Sequence, residues 1–331
     1  MNKRFWMALM AVSVLFGAPA CSDDDETTEP EPEVDPVLAV YATGADGTQG
    51  VYWRNGESVT LKSPISETAK WTRGKSIQVV DGTVYVAGYE NKTAILWVNG
   101  EPTALTDNST EVSVNDLAVV GQDVYVVGAH GGAGVYWKNG VKTEVCSFGE
   151  VRSIVVDGTD IYMAGNDNGQ ATFWKNGKAI ALCEDKWSAS DAYGICVSEF
   201  GVIAAGYYDA EAAMWLYDEE GAWETVLTED WNYAQCRGVV CDAKNEMICS
   251  VGNDGYNPVY WEGEQMVKLA ECASFGTATD VCYYGGHLYI GGIQDNQAVV
   301  WIDGEAQVLA DAKTGPSIFG IYVTEEYPVA E

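Results

Sequence analysis

The sequence predicts an all-β fold, a seven-bladed β-propeller of four-stranded antiparallel blades, and three observations carry that reading. A tryptophan recurs at Trp53, Trp97, Trp137, Trp174, Trp215, Trp261 and Trp301, at intervals of 44, 40, 37, 41, 46 and 40 residues. Nine residues before each stands a glycine: Gly44, Gly88, Gly128, Gly165, Gly206, Gly252 and Gly292. Around these landmarks, β-rich runs such as TVYVAG, DVYVVG and DIYMAG alternate with Asn-Gly or Asp-Gly pairs, whose positive φ angles suit two-residue hairpins. A period near forty with four short strands per unit is the pattern of a propeller blade, and no helical periodicity competes with it after the first twenty residues.

Each unit divides in order. Strand one is IQVV-like, strand two VYVAG-like, strand three AILW-like and strand four PTAL-like. The first unit, VLAVYATGADGTQGVYWRNG, starts at strand two, whereas the C-terminal FGIYVTEE reads as a lone strand one. Phe319, Gly320, Ile321 and Tyr322 align there with Tyr193, Gly194, Ile195 and Cys196. The last strand is therefore expected to complete the N-terminal blade and remove the open edges of a linear array. One large aromatic at the same place in every blade is expected to fill the wedge between neighbouring sheets, and the NG turns are expected to be structural.

Residues 1–20 combine a positive head, MNKR, with an apolar run too short to span a bilayer, which reads as a secretory signal. The sequence GAPAC resembles a bacterial lipoprotein signal, with Ala18 where a leucine is usual, and CSDDDE resembles the acidic tag of surface-exposed Bacteroidota lipoproteins. That resemblance implies lipidation of Cys21, a membrane anchor through that lipid and a location on the outer face of the outer membrane. Such lipoproteins often accompany an outer-membrane transporter and capture glycans or other nutrients. Residues 21–36, rich in carboxylates and proline, read as an acidic disordered tether, and 37–331 as the propeller.

Charge excludes several partners. Loss of Lys3 and Arg4 with the signal leaves 16 of the 18 basic side chains against 49 acidic ones, a net charge of −33. Nucleic acid and anionic membrane surfaces are therefore poor partners. The two histidines, His130 and His287, and the absence of CxxC or HExxH spacing give no metal site, and no motif implies a cofactor. Of the nine cysteines, Cys196, Cys241, Cys249 and Cys282 sit in apolar strand-like runs, and a Cys241 to Cys249 bridge across a hairpin is a further possibility.

Function is expected where the blades differ. The one-to-two and three-to-four turns are short, so the opposite face should carry the varied chemistry, in the two-to-three and blade-to-blade loops. Trp71, Trp187, Trp231, Tyr193 and Tyr233 fall in blade-to-blade segments, and Tyr89, His130, Tyr207, Tyr208 and Tyr256 in two-to-three segments, among amides and carboxylates. Such a mixture suits sugar rings, and it equally suits loops packing on themselves. Aligning the starts of strand one yields one column that faces the central channel: Lys75, Asn115, Arg152, Tyr193, Arg237, Thr279 and Phe319. Its three cations could hold a carboxylate or phosphate, or simply pair with local acids.

Catalytic signals are sparse. GxSxG and a phosphate-cradling glycine loop are absent, and no catalytic residue stands out. Carboxylate pairs for a glycoside hydrolase are too numerous to discriminate, and a polysaccharide lyase could draw a cationic cleft and base from Lys75, Arg152, Arg237 and Tyr193. The expected function is a surface lipoprotein that binds a glycan or other nutrient without chemistry. A lyase or hydrolase on the same face and a protein-interaction scaffold are the alternatives.

Overall fold

In the computed structural model, the described residues are 36–64, 71–183, 188–228, 233–242, 244, 245 and 247–327. The expected signal, the expected tether except its last residue, Cys21, Trp187 and Trp231 lie outside them. Seven four-stranded antiparallel sheets form the seven blades of a propeller. Their innermost strands are Thr72–Val80, Val112–Val120, Gly149–Asp157, Ser190–Ser198, Gln235–Asp242, Gly276–Tyr284 and Ser317–Glu326, for blades two to seven and then one. The C-terminal strand Ser317–Glu326 pairs with Val37–Asp46 and completes the N-terminal blade as expected. Tyr41 and Arg54 both engage Glu326, which ties that closure across the whole chain length.

The seven repeated tryptophans are fully buried, and each belongs to a different apolar cluster. Trp174 of blade four, for example, packs among Tyr125 and Val127 of blade three together with its own Met163 and Ile154. Each tryptophan is thus the wedge at one seam of the ring. In four blades an asparagine two residues after the tryptophan acts on the same blade. Asn55, Asn99, Asn139 and Asn176 take positive φ in the three-to-four turn, and their Oδ1 atoms accept from the backbone N–H of Val40, Val84, Val124 and Ile161, at 2.8–2.9 Å. The turn therefore also fixes the start of strand two.

The repeated glycine has a sharper cause. In every blade the pairing of strand one with strand two slips by one residue, and the residue skipped is Lys75, Asn115, Arg152, Tyr193, Arg237, Thr279 or Phe319. These are β-bulges, which bend the strand and re-aim a side chain. The bulge drives the carbonyl two residues before it against strand two. A Cβ on Gly44, Gly88, Gly128, Gly165, Gly206, Gly252 or Gly292 would lie 1.8–2.2 Å from that oxygen, closer than any real contact. Only glycine fits opposite the bulge.

Two expectations are corrected. The two-to-three connections are not long loops but two-residue turns: Asn91 with Lys92, Gly131 with Gly132, Asn168 with Gly169, Asp209 with Ala210, Gly255 with Tyr256, Asp295 with Asn296 and Gly47 with Thr48. Positive φ at most of these positions lets the strands run on to the rim, so several aromatics assigned to loops are strand ends. The Cys241 to Cys249 bridge is also absent, and all eight described cysteines are free. Cys241 pairs with Ile248 and Cys249 with Val240, so the two thiols point to opposite faces of their sheet.

Gly165→Ala should therefore lower unfolding free energy by at least about 2 kcal/mol, because a Cβ meets backbone that cannot rotate away. Gly177→Ala, at φ +79 with nothing within 4 Å, should cost only about 1 kcal/mol. Urea unfolding of both variants checks the order; equal losses would show that the bulge is not what excludes the methyl group.

Candidate functional site

The bulges lie near the start of each innermost strand, at the face that receives the blade-to-blade connections and two-to-three turns. Their seven side chains surround the channel mouth there and line a cavity of ≈ 370 Å³. That size suits a small molecule. The next residues in each strand are Ser76, Asp116, Ser153, Gly194, Gly238, Asp280 and Gly320, and all but Gly320 also line the cavity. A Cβ on Gly194 would come within 2.9 Å of the Val239 nitrogen, and one on Gly320 within 3.0 Å of the Lys75 carbonyl, so the small residues here let adjacent backbones meet.

Two aspartates staple these positions together. Asp116 accepts from Ser76 Oγ at 2.8 Å, Ser153 Oγ at 2.9 Å, the Ile154 N–H at 3.0 Å and its own neighbour Leu117 at 2.8 Å, joining blades two, three and four. Asp280 accepts from the Val281 N–H at 2.8 Å and from Ile321 of blade one at 2.9 Å. Burial, offset in part by those two amides and reinforced by Asp116, pushes the Asp280 carboxyl up to about 7. The floor of the cavity is therefore built and satisfied by the protein itself.

The ring above it divides into two arcs. Along blades three to five most polar groups pair with one another, although the buried Asp191 Oδ1 has no partner among the described residues. Asn115 Nδ2 donates to Glu150 Oε1 and to the Val151 carbonyl, both at 2.8 Å. Arg152 pairs with Glu150 at 3.0 Å and with Asp191 Oδ2 at 2.9 Å, while Asn166 Nδ2 donates to the same oxygen. Tyr193 lies beside the Arg152 and Arg237 guanidiniums, 4.9 and 5.6 Å from its ring centroid, and its ring meets Tyr207 at 6.0 Å.

Along blades six, seven, one and two the cations have no such partner. The slot that supplies Glu150 to Asn115 and Asp191 to Arg152 lies two residues before the bulge of the following blade; for Lys75 that residue is Ser113, and for Arg237 it is Thr277. Among the described residues neither cation makes an ion pair. Arg237 donates from Nη2 to Gln235 Oε1 at 3.2 Å, and its buried Nε has no partner. Lys75 Nζ sits 3.9 Å from the Phe319 ring centroid. Desolvation, followed by Arg237 and Arg152, pushes the Lys75 ammonium down to about 8, and burial likewise lowers Arg237.

Of the residues expected at a site, Lys75, Arg152, Tyr193 and Arg237 converge on this cavity and Tyr207 backs it. The others do not line it. Tyr89 and Tyr208 pack partly buried against apolar clusters at blade seams, and His130 Nδ1 turns to Lys142 Nζ at 3.1 Å. Trp71, Tyr233 and Tyr256 are exposed by 56%, 77% and 69%. Sequence reasoning missed Asp116 and Asp280, although they stand one place after a column it had aligned, and Phe275 and Ile293, which line blade seven's side of the cavity.

No family model matches the chain, and no curated protein does. Solved structures do resemble it. A chain of a nidogen/laminin complex superimposes with a TM-score of 0.51 at 13% identity, over 87% of this chain and 98% of that one. The WD40 repeats of RRP9 give 0.52 at 12%, over 79% and 88%. The extracellular domain of a B. thetaiotaomicron protein described as a one-component system gives 0.52 at 9%, over 82% of this chain but 40% of that one. At these identities the likeness is one of fold. It bears out the β-propeller and leaves function to the residues of the mouth.

The buried Lys75 charge has a thermodynamic signature. Desolvation holds the folded Lys75 ammonium at about 8, below the ordinary lysine value of 10.5, so between those values the unfolded chain binds more protons and stability rises with pH. The penalty is fully present below pH 8 and gone above 10.5. Lys75→Met should therefore raise unfolding free energy at pH 7 by about 1–3 kcal/mol, with the gain shrinking as pH rises through that window. Urea titrations at pH 7 and 10 test this; a destabilised variant at pH 7 would contradict it.

Proposed function

We propose that this chain is a lipid-anchored surface protein that captures a small anionic ligand at the mouth of its propeller channel and performs no chemistry on it. One observation carries the reading: two desolvated cations, Lys75 and Arg237, are left without acidic partners in a chain of net charge −31. Leaving them unpaired costs stability, and a bound carboxylate or phosphate would recover that cost through charge-assisted hydrogen bonds. The lipoprotein-like signal, the Cys21 position and the acidic segment after it support placement on the outer face of the outer membrane, as an accessory to nutrient uptake. The glycan reading enters as one case of this, an acidic sugar held at the mouth by the same two cations, while the exposed rings of Trp71, Tyr233 and Tyr256 lie outside the cavity.

A lyase reading has one observation of its own. An amine brought to about 8 beside two guanidiniums and Tyr193 is a suitable proton acceptor next to groups that neutralise a uronate. It predicts unsaturated product from an anionic polysaccharide, and the binding reading predicts none.

Calorimetric titration of the full-length protein with glucuronate, acetate and inorganic phosphate tests capture. Binding of at least one of these should weaken as salt increases, and Arg237→Gln should weaken it about tenfold or more, whereas Lys142→Gln on an outer strand should leave it unchanged. Equal affinity in wild type and Arg237→Gln would remove the channel from the account. Replacing Cys21 by alanine should release the protein from the membrane fraction.

A further inference from the structure

The unsatisfied arc of the mouth is not uniformly polar. Passing from blade six through seven and one to two, the lining reads Arg237 with Gly238 and Val239, then Phe275, Thr277, Thr279, Asp280 and Ile293, then Phe319, then Lys75, and the Asp280 carboxylate there is taken up by the Val281 and Ile321 amides. Phe275 belongs to the segment just before blade seven's innermost strand and is 39% exposed, a large apolar ring held at the rim. Ile293 stands beside it, paired in register with Thr277 near the end of strand two. The hydroxyl protons between them are already engaged: Thr279 Oγ1 lies 2.9 Å from both the Gly291 and Ile318 carbonyls, and Thr277 Oγ1 is 3.2 Å from the Ala278 carbonyl. This wall therefore offers few free donors to the oxygens of a sugar. Phe319 turns its face to Lys75, leaving the apolar arc bounded by a cation at each end.

Resting on the anion-capture reading above, we infer that the ligand is a small organic carboxylate with an apolar body, aromatic or branched aliphatic, rather than a polyhydroxylated acid. Its carboxylate lies against Arg237 and Lys75, and its body covers Phe275, Ile293 and Phe319. A uronate would bury hydroxyls against that wall without partners, at a cost per group comparable to a lost hydrogen bond. Burying an apolar body there removes exposed aromatic and aliphatic surface from water instead. The opposite arc, already internally paired through Asn115, Glu150, Arg152 and Asp191, keeps the mouth in shape without the ligand.

The test is calorimetric titration of full-length protein with phenylacetate, 3-methylbutyrate, acetate, glucuronate and inorganic phosphate. Phenylacetate or 3-methylbutyrate should bind about tenfold or more tightly than acetate. Phe275→Ala, at an exposed position where folding should be undisturbed, should remove about fivefold or more of the preference for phenylacetate over acetate, and a preference left unchanged would overturn the placement of the apolar body. Glucuronate or phosphate binding as tightly as phenylacetate would overturn the inference and leave anion capture standing. If none of the five binds, both fall.

Discussion

The structure depends on one close approach, repeated seven times: a carbonyl of the innermost strand pressed against a residue of strand two that has no side chain. That contact and the β-bulge are two views of one distortion. The strand cannot carry its extra residue unless its neighbour gives way, and glycine is the one residue that gives way at no steric cost. The bulge in turn points one side chain per blade into the channel. A backbone constraint thereby decides which seven residues meet at the mouth, while the buried tryptophans at the seams hold the blades at the spacing that lets them meet.

With geometry fixed by the backbone, chemistry varies freely in the ring. The fold demands a bulge residue but not its identity, and the chain places lysine, asparagine, arginine, tyrosine, arginine, threonine and phenylalanine there. Equivalent slots in successive blades serve as internal controls for one another. Arg152 is neutralised by the aspartate that the next blade supplies, whereas Arg237 and Lys75 meet threonine and serine at the same place. In a chain with 49 acidic side chains, leaving these two slots uncharged keeps two cations available.

Much of this was legible in the sequence because repetition separates structural residues from variable ones. The Trp and Gly columns, the closure by Phe319 to Tyr322 and the channel column with its three cations all follow from aligning units that fold alike. What stayed hidden depends on contacts between units or on turn length. Spacing alone did not distinguish a two-residue turn at a strand end from a longer loop, so Tyr89, His130 and Tyr208 were expected among ligand contacts, whereas Tyr89 and Tyr208 pack partly buried and His130 turns to Lys142. Phe275 and Ile293 carry no motif, and they become neighbours only through pairing of the strands on either side. Asp116 and Asp280 needed only a shift of the alignment by one position.

The central claim is that Lys75 and Arg237 form an open anion site at the channel mouth. Anomalous diffraction from crystals soaked in bromide tests it most directly, because bromide reports desolvated, unpaired cations without assuming a ligand. The strongest bromide peak should lie in the channel within contact of the Lys75 Nζ and the Arg237 guanidinium. Strong peaks elsewhere on the surface, with none in the channel, would contradict it.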